Sequence, residues 1–189
     1  MTLNHVSDKT DCAVIEKIYT QSFPDNERAP FKMLIKRAAR GKADFWAVCD
    51  GETIIGMAYV VCHSDLAYLF YIAIAPTSRG KGFGTKTIRS LMEKYRGKRF
   101  FLALEQLDNT ADNYTQRVKR HDFYTSCGLF DLPFKLKEGT VTFSAMGARP
   151  DDGGELHGDF TVLPEEYSAL MHGYMGFFMR LMVDVRLIP

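Results

Sequence analysis

Between Leu66 and Tyr95 the chain runs as a nearly unbroken apolar stretch, Leu66 to Ala75, then Pro76-Thr77-Ser78-Arg79-Gly80-Lys81-Gly82-Phe83-Gly84-Thr85, then an amphipathic segment to Tyr95. An apolar run of this length reads as a central strand, and the Ile88, Leu91, Met92, Tyr95 spacing reads as one face of a helix over Phe83 to Tyr95. The join between them is basic and has glycine at three alternate positions. Glycine inside a helix costs about 1 kcal/mol relative to alanine, so three of them need a reason other than starting a helix. Backbone amides at a helix N-terminus, freed of side-chain bulk, form a site for phosphate or pyrophosphate. A strand that must deliver such a turn to a helix restricts the fold to an α/β arrangement.

Two familiar glycine loops fail on these letters. A P-loop needs glycine directly before its Lys-Ser/Thr pair, but Lys86-Thr87 follows Thr85. The dinucleotide fingerprint G-x-G-x-x-G can begin at Gly80 and Gly82, but its sixth position is also Thr85. The pattern that fits is Arg/Gln-x-x-Gly-x-Gly/Ala, met by Arg79, Gly82 and Gly84. About forty residues on, Phe123-Tyr124-Thr125-Ser126-Cys127-Gly128-Leu129 follows a helical pattern holding Tyr114, Val118, His121 and Phe123.

Together these two motifs resemble the GCN5-related N-acetyltransferase (GNAT) family, in which the first binds acetyl-CoA and the second is a Tyr-x-x-x-Gly-Phe helix ending. Leu129 stands where phenylalanine is commoner. Longer versions of the second motif have an asparagine and an alanine where this chain has Arg117 and Arg120, so the asparagine contact does not carry over, although an arginine can meet a phosphate. The resemblance covers about three quarters of the chain, from Met1 to about Gly147. It implies a mixed α/β GNAT-like acyl-CoA N-acyltransferase fold, with a central, mostly antiparallel sheet of splayed strands flanked by helices. It also implies acetyl-CoA as co-substrate, with the coenzyme held by backbone groups of Ile72, Ala73 and Ile74 and by the loop Arg79, Gly80, Lys81, Gly82, Phe83, Gly84 and Thr85.

The expected reaction is direct transfer of acetyl to a primary amine of a small molecule or peptide in a ternary complex. Tyr124 is then the acid for the leaving thiolate, since a phenol near pKa ~10 can donate to a thiolate whose conjugate acid lies near ~8.5. The base is open between Glu27, in the elbow Phe23 to Arg28, Glu105 at the end of the strand Phe100 to Leu104, water alone, His63 and His121. A non-catalytic coenzyme-binding sensor and a different nucleotide-phosphate binder are the competing readings.

The rest of the sequence bounds these choices. With 189 residues, 46% hydrophobic and 25% charged, the chain suits one domain over 1–189, its last part, 150–189, a C-terminal loop and helix extension. Lysine and arginine total 24 against 23 acidic residues, which argues against a general nucleic-acid binder. Cys12, Cys49, Cys62 and Cys127 lack metal-ligand spacing, so no metal site is expected, and Cys127 reads as a buried structural thiol. Neither a signal peptide nor an apolar run of ~18 residues is apparent, pointing to a cytoplasmic protein without membrane contact. Exposed edge strands of such a sheet offer a route to a homodimer.

Helices are expected over Asp11 to Ser22, with a Val14, Ile15, Ile18, Tyr19 stripe, and from Phe31 to Gly41. Phe45 to Cys49 and Thr53 to His63 form a hairpin about Asp50-Gly51, and Arg99 to Leu104 another buried strand. Phe134 to Leu136 and Thr140 to Ala145 form a second hairpin about Glu138-Gly139. Arg149 to Gly154 is a loop, Pro164 to about Met182 a final helix with a methionine-rich face, and a strand lies near Asn4 to Val6.

Overall fold

The computed structural model describes residues 1–6, 9–148, 160–175 and 184–188. In chain order they form β1 (Thr2–His5), α1 (Lys9–Ser22), α2 (Phe31–Ala39), β2 (Asp44–Asp50), β3 (Thr53–His63), β4 (Leu66–Ile74), α3 (Phe83–Lys94), β5 (Arg99–Glu105), α4 (Tyr114–Ser126), β6 (Leu129–Glu138), β7 (Val141–Ala148), α5 (Pro164–Met175) and β8 (Val185–Ile188). Short 3-10 turns occupy Asp25–Glu27 and Pro76–Ser78. The chain divides into two compact units, one of residues 1–62 and 69–94, the other of 63–68 and 95–189.

The first unit has the strand order β1-β2-β3-β4. β1 pairs antiparallel with β2, and β2 with β3. Phe45 to Cys49 are all buried, as are Ile55 to Val61, so both faces of β2 and β3 are covered and alternation disappears from their sequences. Helix α1 begins two residues before the expected Asp11. It buries Ile15, Ile18 and Tyr19, whereas Val14, expected in the same stripe, is 41% exposed. A residue adjacent to Ile15 is turned about 100° from it on a 3.6-residue helix, which carries Val14 to the rim of the apolar face.

The second unit has the strand order β5-β7-β6-β8, every pair antiparallel. Along β6 Leu129, Leu132, Phe134 and Leu136 are buried while Asp131, Pro133 and Lys135 are exposed, the pattern of a strand with one wet face. Pro133 has no amide to donate, and the β6–β7 register shifts across it, between Asp131 and Lys135. Strand β8 was not anticipated; Val185 and Leu187 are buried, and Leu136 pairs with Leu187. The loop expected at Arg149 to Gly154 and the end of the final helix, 176–182, lie outside the described residues. Within α5, Met171, Tyr174 and Met175 of the expected apolar face are buried.

Two devices anchor α5. Arg99 donates from Nε and Nη2 to the two carboxylate oxygens of Asp65 (2.7 and 2.9 Å), from Nη1 and Nη2 to those of Glu166 (2.9 and 2.6 Å), and to the Thr161 carbonyl. Its hydrogen bonds hold both carboxyls below the usual range. On the other side, Tyr68 and Tyr167 both donate to Glu138 Oε1, at 2.7 and 2.8 Å. Burial pushes the Glu138 carboxyl up, against the opposing pull of the two hydroxyls.

Candidate functional site

In the first unit, β4 ends in the glycine turn singled out above. Gly80 and Gly82 have φ of 74° and 76°, a left-handed backbone that side-chain-bearing residues enter only at a cost of about 1–2 kcal/mol. The first bond of α3 runs from the Lys86 amide to the Gly82 carbonyl at 3.1 Å, so the amides of Phe83, Gly84 and Thr85 precede it as the unpaired first turn of a helix. Among the described residues, chain neighbours aside, no atom lies within 4 Å of the place where a Cβ would stand on Gly80 or Gly82. The loop is thus open above its glycines, and a ligand can approach the peptide groups directly.

The cations of this loop turn toward the chain itself. Arg79 donates from Nε to the Ile74 carbonyl at 3.0 Å and from Nη2 to Ser22 Oγ at 3.4 Å, joining the end of β4 to the end of α1. Lys81 donates to the Thr77 carbonyl at 3.1 Å. Lys86 lies 5.8 Å from the centre of the Phe83 ring.

Upstream, the elbow that carries Glu27 is fastened by aromatic residues. The Ala29 amide donates to the Tyr71 hydroxyl, which donates to the Glu27 carbonyl, both at 3.1 Å, and the Tyr19 hydroxyl donates to the Ala29 carbonyl at 3.0 Å. Phe23 and Tyr71 meet edge to face at 5.0 Å, Tyr19 and Tyr71 at 5.1 Å. Burial raises the Tyr19 phenol far above its ordinary value, so it serves as a donor. Arg28 pairs with Asp25, and the Glu27 side chain is exposed. Sequence reading missed Tyr71, and with it Gly56 of β3, where an added Cβ would stand 2.5 Å from the Ala73 carbonyl oxygen near the end of β4. The signal for Gly56 was available, because a lone glycine inside a strand marks close backbone approach.

In the second unit Tyr124 is the buried residue of α4, its ring 5.1 Å from that of Phe123. Burial pushes its phenol up to about 12, with Arg120 pulling the other way. Glu105, at the end of β5, accepts from Asn113 Nδ2 at 2.9 Å, pairs with Arg120, and has Arg117 Nε at 3.8 Å. Its side chain is only 14% exposed. Arg117 also donates to the Gln106 carbonyl at 2.9 Å. Arg117 and Arg120 therefore gather about the end of β5. His121 lies 3.0 Å from both oxygens of Asp131, and His63 is exposed at the end of β3. Cys127 is a buried thiol outside any disulfide. Among the described residues no cluster of three or more His, Cys, Asp or Glu is placed to hold a metal ion, and no helix is long and apolar enough to cross a membrane.

Known proteins offer an independent view. A family model described as Acetyltransferase (GNAT) family matches residues 12–129, more than half of the chain and both motifs up to Leu129. No curated protein matches the sequence. Among solved structures, a GNAT-family protein of Bacteroides thetaiotaomicron is 20% identical with a TM-score of 0.65, over 83% of this chain and 89% of that one. The ribosomal-protein-S18-alanine N-acetyltransferase of Escherichia coli is 15% identical with a TM-score of 0.58, over 82% and 97%. Salmonella typhimurium yncA, solved with its cofactor acetyl-CoA, is 17% identical with a TM-score of 0.58, over 83% and 98%. The fold is that of these acetyltransferases, and the chain belongs to the GNAT acetyltransferase family.

Proposed function

We propose that this protein transfers the acetyl group of acetyl-CoA to a primary amine by direct attack. The observation that carries the reading is the paired left-handed geometry of Gly80 and Gly82 at the head of α3, where a row of amides suits a pyrophosphate. Acetyl-CoA contains that group, and the structure of yncA holds it as cofactor. In this reading the amides from Gly80 to Thr85 bind the pyrophosphate, and the backbone of Ile72 to Ile74 binds the pantetheine arm and the acetyl oxygen.

The amine must lose a proton before it can attack. Of the two carboxylates considered, Glu105 is engaged by Asn113 and Arg120, whereas Glu27 is exposed on an elbow that Tyr71 holds in place. Glu27, directly or through water, is the base in this reading, and Glu105 orders Arg117 and Arg120. Tyr124 serves the leaving sulfur. A thiol near ~8.5 and a phenol at about 12 differ by roughly 5 kcal/mol of proton affinity. That gap favours a phenol that steadies the thiolate by hydrogen bonding over one that gives up its proton early.

Thermal shifts with acetyl-CoA, ATP and NAD test the coenzyme, because saturation at a hundredfold excess over Kd stabilises by ~2.7 kcal/mol. For a chain of this size that is roughly 5 to 11 °C. A rise with acetyl-CoA alone, followed by thiol release with a member of a panel of amines, is the expected result. A shift without turnover on any amine would favour the sensor reading, and a larger shift with ATP or NAD would end the acetyltransferase assignment of the loop.

A further inference from the structure

The approach of β4 to β3 depends on one missing side chain. A Cβ placed on Gly56 would stand 2.5 Å from the Ala73 carbonyl oxygen, 2.8 Å from Ile74 Cδ1 and 3.4 Å from Ile74 Cα. Gly56 is not among the residues with left-handed φ, so its backbone conformation is open to any residue. What the glycine supplies is room.

The same spot is where the β2–β3 ladder breaks step. Val48 pairs with Gly56 but Cys49 with Ile54, which leaves Ile55 as the extra residue of a bulge. The carbonyl of Ile55 accepts from the Ala75 amide at 2.8 Å. Two consecutive residues of β3 thus fix the end of β4, Ile55 by a hydrogen bond to Ala75 and Gly56 by admitting the Ala73 carbonyl. Between them, the Ile74 carbonyl is held by Arg79. The Ile74–Ala75 peptide is thus held from both sides, by Ile55 and by Arg79, and the Ala73–Ile74 peptide before it lies against Gly56.

We propose that Gly56 is a positioning residue for acetyl-CoA, setting through Ala73 the direction of the backbone groups of Ile72 to Ile74; this rests on the acetyl-CoA reading above. Relief of a 2.5 Å approach to backbone requires the Ala73 peptide to move by several tenths of an ångström or more. A displacement on the order of 1 Å in a reacting geometry costs about 10²-fold in rate. A side chain at position 56 therefore acts on the coenzyme without touching it.

Gly56→Ala is compared with the double variant Gly56→Ala/Ile74→Ala, which removes the Ile74 methyl collision and leaves the carbonyl collision. Both are expected to lose about 10²-fold in kcat/KM for acetyl-CoA, keep the KM for the amine, and differ from each other mainly in Tm. A folded Gly56→Ala within threefold of wild type, or full recovery of kcat/KM in the double variant, would overturn the proposal. Should the single variant not fold, ¹⁵N-labelled wild type titrated with coenzyme A answers the same question. Shifts at Ile72 to Ile74 together with Gly80 to Thr85 are expected. Shifts confined to Gly80 to Thr85 would sink the role of Gly56 while leaving the coenzyme reading intact, and no shift at either place would sink the coenzyme reading itself.

Discussion

The hydroxyl of Tyr71 donates to the carbonyl oxygen of Glu27 at 3.1 Å, tying β4 to the elbow that carries the proposed base. The Ala29 amide returns a bond to the same hydroxyl. Tyr71→Phe removes both and should destabilise the protein by about 1–2 kcal/mol, since each net hydrogen bond contributes about 1 kcal/mol. Its functional mark is expected on the amine side, a several-fold rise in KM for the acceptor with an unchanged thermal response to acetyl-CoA. Equal losses for both substrates would show that the elbow does not line the acceptor site.

Tyr124→Phe should lower kcat by about 10²-fold, in the range of one acid–base group, while leaving acetyl-CoA affinity within a factor of a few. With its phenol at about 12, Tyr124 stays protonated throughout the usual assay range. An alkaline limb of the wild-type pH profile near pH ~8–10 should therefore persist in the variant. Its disappearance would assign that limb to Tyr124 and refute the upward displacement.

Glu27→Gln and Glu105→Gln are expected to separate base from scaffold. The first should reduce kcat/KM by at least about tenfold near neutrality. The loss should narrow as pH approaches the amine's own pKa near ~10 and solvent supplies the neutral nucleophile. The second weakens the hold on Arg120 and should lower Tm without altering the shape of the pH profile. A changed profile in Glu105→Gln alone would reverse the two roles.

The carboxyls of Asp65 and Glu166 sit below their ordinary values because Arg99 bonds their ionised forms. Folded-state values below the unfolded ones mean that this stabilisation is complete above about pH 5 and is lost as pH falls through about 4 and below. Arg99→Met should cost about 1–2 kcal/mol at neutral pH, a figure reduced for solvent screening at half-exposed Asp65. Denaturant titrations at pH 7 and pH 3 should show the gap from wild type closing in acid. A gap that stays constant would mean that the loss comes from packing of the arginine stem.

Glu138 has the opposite sign. A folded-state carboxyl raised by burial binds its proton more tightly than the unfolded chain does, so its ionisation costs stability as pH rises. Glu138→Gln keeps an acceptor for Tyr68 and Tyr167 and should match or exceed wild-type stability near pH 8, with little difference near pH 4. Glu138→Ala removes the acceptor of both hydroxyl bonds and should cost about 1–3 kcal/mol, since each net hydrogen bond contributes about 0.5–1.5 kcal/mol.

Sequence periodicity located the main strands and helices because their burial is strong: Phe45 to Cys49, Leu66 to Ala75 and Phe100 to Leu104 are apolar runs that tolerate few other readings. It was less informative where packing is one-sided or short. Val14 differs from Ile15 only by its angle on a helix, and β8 is a four-residue strand held by β6. The glycine loop was legible since glycine spacing is itself the constraint on backbone geometry. The surroundings of Glu105 were not, because Asn113, Arg117 and Arg120 reach it from α4 and its N-cap by long side chains, whose destinations leave no trace in spacing. Arg79 shows the same limit. Its letter fits the motif, but its side chain bonds Ile74 and Ser22.

That use of Arg79, repeated in Lys81, fixes the position of two exposed cations beside the loop without cancelling their charge, since every partner is neutral. Exposed charges act through solvent, so raising ionic strength should weaken the attraction of this loop for an anion. The amides at the head of α3 are oriented by the backbone itself and would add, in the proposed reading, a share of the attraction that salt weakens less.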